Sequence, residues 1–293
     1  GRWPRYLTLS PDGTRLAVGV SGDRGVAVVD TRTREQLYVE RFSGLNIGQL
    51  QISSDGLHVY FPWMVYRRNP ITAGNIRLGW VLASRLARVH MDGPARREAL
   101  SLDPSGEAVA DPHGLQITHD QSRILMTAAG THELLVFRAA GLPLKDFGGT
   151  DHIDRPLLAD RERFFRIPLG GRPLGLQISR DDRRAYIANY LDNRVQVVDL
   201  TERKVARTFF LGGPAQPSLA RRGEAIFYDG RRSLDQWYSC HSCHYEGGTN
   251  NVAMDTLNDG SNLTFKTVPP LFHLPATAPW TWHGWQTDLT AAM

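Results

Sequence analysis

Cysteine is nearly absent: the 293 residues hold two, Cys240 and Cys243, three positions apart. A structural zinc site needs four ligands, usually two such pairs, so the missing second pair argues against one. Long apolar runs are missing too. Nothing in the chain approaches the roughly 20 apolar residues of a membrane helix, so no membrane span is expected. The opening stretch "GRWPRYLTLSPDG" lacks the apolar core of a signal peptide, which leaves the compartment undecided. Blocks of one charge sign are also lacking. The net charge of +4 comes largely from scattered arginine pairs such as Arg67-Arg68, Arg183-Arg184 and Arg231-Arg232. No basic stripe carries interleaved aromatics, so nucleic acid is not an expected partner; an acidic protein suits the charge better. What remains, 41% hydrophobic and 22% charged residues, suits a soluble globular chain of about two domains.

Internal repetition fills the first two thirds. "PRYLTLSPDGTRLAVGVSGDRGVAVVD" (4–30) aligns without gaps with "PLGLQISRDDRRAYIANYLDNRVQVVD" (173–199). Two further copies share the register, "GQLQISSDGLHVYF" from Gly48 and "PHGLQITHDQSRILMTAAGTHELLVF" from Pro112. Within a copy the apolar period is two, as in Leu176 and Ile178, then Tyr186, then Val195 and Val197. Asp181-Asp182 and Asp192-Asn193 mark tight turns. Each copy is therefore expected to form an antiparallel meander that must stack on its neighbours to cover its faces, as propeller blades do. Residues 61–111 and 138–171 should carry outer strands plus excursions.

The fourth copy, "AYIANYLDNRVQVVDLTERKVARTFFLGG", resembles a repeat of the YVTN-type β-propeller family, and the likeness extends over residues 1 to about 215. That family commonly closes with seven blades, whereas four repeats are visible here. Either the inserts hold further blades or the sequence is a piece of a longer protein. His113, His119 and His152, with Asp151 and Asp154, are candidates for a channel lining or a metal site. Their spacing matches no metal-ligand pattern, so local polar roles are expected.

The two cysteines lie in "QWYSCHSCHYEGG" (236–248). Cys-x-x-Cys serves zinc sites, redox pairs and covalent haem attachment. A redox pair belongs in an alternating β-α-β setting, which this chain lacks. The haem motif uses all three reactive groups, with thioether bonds from Cys240 and Cys243 and His244 as proximal iron ligand. His241, between the thiols, is expected to be exposed. "ARRGEAIFYDGRRS" (220–233) reads as a short helix ended by Gly230.

Together with "KTVPPLFHLPATAPWTWHGWQTDLTAAM" (266–293), this part resembles the haem domains of the bacterial dihaem cytochrome c peroxidase family. Lys266, Pro269, Leu271, Pro279, Trp280, Trp282, His283 and Gly284 occupy matching places. The family carries two haem motifs and this chain one. The resemblance implies a mainly β protein, with propeller repeats over 1–217 and a small α-helical cytochrome c-like domain over 218–293. That domain is expected to be incomplete, because "TDLTAAM" supplies only the first turn of a closing helix. Trp280, Trp282 and Trp285 would pack the haem rim. Met293, His283 and His273 are the candidate distal ligands, while Met254 is set aside because it follows His244 by only ten residues.

The function expected from this reading is single-electron transfer through one covalent haem c, with an acidic redox protein as partner. The alternatives are a peroxidase-like enzyme that draws on a second haem in another chain or segment, and a nitrite reductase-like enzyme with haem and propeller. Covalent attachment implies a periplasmic or extracellular location.

Overall fold

Each repeat starts to fold back at a turn built by one side chain. The Ser10 hydroxyl donates to Asp12 at 2.6 Å, the same carboxylate accepts the Thr14 backbone N–H at 3.0 Å, and Gly13 takes a φ of 71°. The device recurs with Ser53, Asp55 and Gly56, with Asp120 and Gln121, and with Ser179, Asp181 and Asp182. An Asx-type bond holds the chain in the turn while the alternating residues on either side pair.

The computed structural model describes residues 1–146, 151–214 and 216–292, with residues 291 and 292 described by their backbone alone. Four antiparallel sheets follow one another. The first is β1 (Pro4–Leu9), β2 (Arg15–Val20), β3 (Gly25–Asp30) and β4 (Gln36–Arg41). The second is β5 (Gln51–Ile52), β6 (His58–Tyr66), β7 (Leu82–His90) and β8 (Arg97–Ser101), with α1 (Ala73–Arg77) between β6 and β7. The third holds β9 (Pro112–Ile117), β10 (Arg123–Ala128) and β11 (Glu133–Arg138). The chain then runs back as β12 (Lys145–Asp146) to pair with β8, forms α2 (Arg155–Ala159), and returns as β13 (Phe164–Pro168) to close the third sheet on β11. The fourth is β14 (Pro173–Ile178), β15 (Arg184–Asn189), β16 (Arg194–Asp199) and β17 (Lys204–Phe210).

The sheets stack face to face because neither face of a single meander can cover itself. Ala17, Val26 and Val28 of the first pack on Val59, Phe61 and Val89 of the second. Leu86 and Leu100 pack on Leu115, Ile124 and Met126 of the third. Leu125, Leu134 and Val136 pack on Leu176, Ile187 and Val198 of the fourth. Among the described residues the inserts complete the second and third sheets and add no further one.

Residues from 218 onward depart from the expected α-helical domain. Helices there are α3 (Leu219–Phe227), capped by Ser218 and without a buried residue, α4 (Cys240–Cys243) and α5 (Leu289–Ala292). A two-stranded ladder joins β18 (Ala253–Met254) to β19 (Lys266–Thr267). Pro269, Pro270, Pro275 and Pro279 remove backbone donors and push the residues before them out of helical conformation, which keeps this stretch irregular. Its core is borrowed. Trp237, Val252 and Met254 pack with Met64, Tyr66, Val81 and Leu82 of the second sheet, and Gly79, at φ 68°, lets the Trp237 ring lie against its backbone. Among the described residues no helix is long and apolar enough to cross a membrane.

Candidate functional site

The site is built from the turn that carries the thiols. Ser239 caps α4, and its backbone N–H donates to the Ser242 hydroxyl at 3.0 Å, forming a capping box around a single helical turn. One turn this short cannot stand alone. Buried Asp111, at the entry to β9, accepts the Ser239 hydroxyl and the Ser242 hydroxyl, the latter at 2.6 Å. Asn46 Nδ2 donates to the Ser242 carbonyl at 3.2 Å, and the Tyr66 hydroxyl donates to the same oxygen. The turn is thus fixed by the side chains of Asp111, Asn46 and Tyr66.

His241 is buried, contrary to the exposed position expected of it. Its ring lies between Tyr228 and Tyr245, with centroids 5.0 and 4.9 Å away. Nδ1 is 3.8 Å from Asp111 and Nε2 is 3.7 Å from Glu246. Burial alone would lower the imidazole pKa, but these two carboxylates raise it above the ordinary value. Glu246 is held down to about 2, chiefly by the neighbouring His241 imidazole, with burial opposing and Arg5 adding to the effect. Burial would raise Asp111, yet His241 and the two serine hydroxyls keep it below the usual carboxylate range.

On the other side of α4 a cleft of about 550 Å³ opens, within the roughly 300–1,000 Å³ typical of ligand sites. Cys240, Cys243 and His244 line it together with Trp282 and the apolar side chains of Ile71, Ile226 and Val268. The His244 Nδ1–H donates to the Pro269 carbonyl at 2.9 Å, which leaves Nε2 as the ring's lone-pair nitrogen. Burial lowers the His244 pKa, so the neutral, ligating form is favoured. Cys240 and Cys243 form no disulfide. Burial pushes the Cys243 thiol up to about 12 and raises Cys240 as well, the opposite of the thiolate that a redox pair requires.

The remaining expected residues divide. Trp282 lines the cleft and anchors its indole N–H on the Thr267 carbonyl at 2.7 Å. Trp280 donates to the Leu274 carbonyl at 2.8 Å and stays outside the cleft. His283 stacks on Trp285 at 5.3 Å and approaches Asp259 at 4.0 Å, while exposed His273 precedes the turn Leu274–Ala276; neither lines the cleft. Met293 and the insert residues 147–150 fall outside the described residues. Met254, set aside on sequence distance, lines the cleft with its sulfur 3.8 Å from Cys243 Sγ, because the chain folds back after α4, where the Asn250 N–H donates to the Cys243 carbonyl at 2.9 Å. The propeller histidines do not converge. His113 Nε2 meets the Tyr6 hydroxyl at 2.9 Å, His119 Nδ1 meets Asp182 at 2.7 Å, and the His152 ring lies 5.9 Å from Trp237. Asp151 binds Arg67 and Trp80, and Asp154 caps α2. No group of three or more His, Cys, Asp or Glu side chains among the described residues could hold a metal ion by itself.

No protein-family profile and no curated protein sequence matches the chain. Solved structures do. Hydrazine synthase of Kuenenia stuttgartiensis is 19% identical with a TM-score of 0.55, and the match covers 67% of this chain and 58% of that one. A nidogen/laminin complex is 17% identical with a TM-score of 0.49, covering 71% and 63%. The fold is β-propeller-like. The four stacked sheets are its blades, and this chain spans little more than half the length of the hydrazine synthase chain it matches. At such identity the likeness speaks for the fold alone.

Sequence reasoning missed Asp111, Ser239 and Met254. The Ser-x-x-Ser of the capping box is legible in "SCHS". Asp111 lies 128 residues before Ser239 and carries no local signal.

Proposed function

We propose that the protein is a c-type cytochrome in which residues 239–244 attach one haem and the propeller-like body holds the attachment turn. The observation that supports this reading is the convergence of Cys240, Cys243 and His244 on one apolar cleft, with His244 Nδ1 bonded to the Pro269 carbonyl. A ring N–H tied to a backbone carbonyl orients a metal-ligating histidine and raises its basicity. The donor set suits the group. Two protonated thiols on one turn can each add across a vinyl group, exchanging an S–H bond and a π bond for an S–C and a C–H bond with no net oxidation. The bound group would supply one-electron oxidation and reduction. The residues of the chain do the rest: Ile71, Ile226 and Val268 exclude water, Trp282 covers an edge, and Arg232 at the cleft suits an acidic redox protein. Such attachment takes place outside the bacterial cytoplasm, so a periplasmic or extracellular location belongs to the same proposal.

The peroxidase-like alternative draws on one observation. Neither His273 nor His283 lines the cleft, so among the described residues no second imidazole lines it with His244. The expected result is a protein made with its haem-attachment machinery that keeps its colour through acidified acetone. Cys240→Ala together with Cys243→Ala should lose that covalent colour. His244→Ala should keep the haem attached but change its spin state. Bands of the reduced protein that ignore carbon monoxide support electron transfer, whereas a shift supports the peroxidase-like alternative. A colourless native protein would overturn the haem reading.

A further inference from the structure

The cleft that holds Cys240 and Cys243 contains a third sulfur. Met254 is buried, and its Sδ lies 3.8 Å from Cys243 Sγ. One cation can bond to both atoms at that separation, since two metal–sulfur bonds of about 2.3 Å span up to about 4.6 Å. A thioether beside a thiol is ordinary packing when both are sealed in a core. Here the pair stands on the wall of a cleft of about 550 Å³, and Cys240 lines the same space from the start of the same helical turn. Residues three apart on a helix are neighbours, about 5–6 Å between Cβ atoms, so the second thiol is within reach of the same ion.

The other groups on the cleft select the kind of ion. Among the described residues Asp229 is the one carboxylate lining it, and both its oxygens accept from Arg231. Arg232 and Lys266 add positive charge, which disfavours a divalent ion. No three His, Cys, Asp or Glu side chains among the described residues gather as a zinc or calcium site requires. Thiolate and thioether donors select Cu(I), which, unlike zinc, needs no fourth donor. The charges also fit. Burial opposes a bare thiolate at Cys243, pushing its pKa up to about 12, whereas Cu(I) with one thiolate is neutral and suits a wall that includes Ile71 and Val268. A second thiolate, from Cys240, has the Arg232 charge to favour it.

We propose that the chain with free thiols binds one Cu(I) ion through Cys240 Sγ, Cys243 Sγ and Met254 Sδ. Each thiol gives its proton to solvent and no electron moves, so the ion stays Cu(I). Copper binding does not depend on haem attachment, but the two compete for the same thiols, because a sulfur bonded to a vinyl carbon is no longer a thiolate. Copper and haem therefore exclude each other on this turn.

The test uses the full chain made without haem-attachment machinery and titrated anaerobically with Cu(I) in competition with bicinchoninate. One ion per chain is expected, with three sulfur neighbours by X-ray absorption. Met254→Leu conserves volume and should fold normally by circular dichroism. It should leave two sulfur neighbours and weaken binding about tenfold or more. Cys243→Ser should abolish binding. A wild type that takes no copper from bicinchoninate overturns the proposal, and so does a Met254→Leu chain that binds as tightly as the wild type or keeps three sulfurs. Haem attachment is read separately, on protein made with the machinery. A coloured protein whose free-thiol form ignores Cu(I) refutes copper alone, and a colourless protein whose thiols bind it refutes haem alone.

Discussion

Asp111 has no helix, strand or neighbour in sequence that advertises it, yet it fixes the turn carrying both thiols. Asp111→Ala leaves the His241 imidazole buried with half its counter-charge gone and two serine hydroxyls without their acceptor. Breaking a buried pair of this kind costs about 3–5 kcal/mol. Ser239→Ala removes only the cap and one bond to Asp111, a loss of about 1 kcal/mol. Urea denaturation of the two variants should show that order, and equal losses would refute the central role given to Asp111. Residue chemistry was partly legible beforehand. The spacing of Cys240, Cys243 and His244 singled them out, and all three line one cleft. His241 was misplaced because nothing local reveals that Asp111, Glu246, Tyr228 and Tyr245 close around it.

Strands and turns are the elements that the sequence announces best. Alternation in "LGLQI" and "RVQVVD" becomes β14 and β16, since one buried face forces a period of two. The turn before β2 depends on Gly13, whose φ of 71° is open to glycine and whose missing Cβ would meet nothing within 4 Å. Gly13→Ala therefore isolates backbone strain from crowding. It should destabilise by about 1–2 kcal/mol, the cost of a left-handed conformation for a residue with a Cβ. An unchanged midpoint in chemical denaturation would show that the turn has another support. Harder to read were β12, which leaves its neighbours to pair with β8 in the second blade, and the irregular chain after β17. Both are decided by distant contacts: a two-residue strand carries no periodicity, and the proline-rich stretch packs on Met64 and Leu82 instead of folding on itself.

Across the whole molecule, acid sensitivity follows from the buried groups near the sheets' inner strands. His113 is held down to about 4 by burial, so between its ordinary 6.5 and 4 the unfolded chain binds the proton and the folded one does not. Stability gained from the neutral ring is complete above about 6.5 and is lost as pH falls toward 4. His241 works in reverse: raised above 6.5, it contributes most below that value and loses its contribution as pH rises through its folded pKa. Thermal melts should therefore fall between pH 6.5 and 4, and His113→Gln should flatten that fall. A melting temperature just as steep in the variant would remove His113 from the account. The four repeats were legible because each copy carries the same alternating apolar positions. The packing of Tyr245 and Glu246 against Arg5 was not, because that pairing spans 241 positions.

That last pairing bears on the order in which the protein can be assembled. Trp3 and Arg5 find their partners on Tyr245 and Glu246, and Arg172 finds its own on Tyr228. During synthesis the first blade must wait, with these side chains unengaged, until more than two hundred further residues have emerged. Closing so long a loop carries an entropic cost that is met only when the blades between are in place. The turn holding Cys240 and Cys243 gains its anchors on Asn46, Tyr66 and Asp111 at that same late step. The two thiols therefore take their places on the cleft wall only after the propeller-like body has folded.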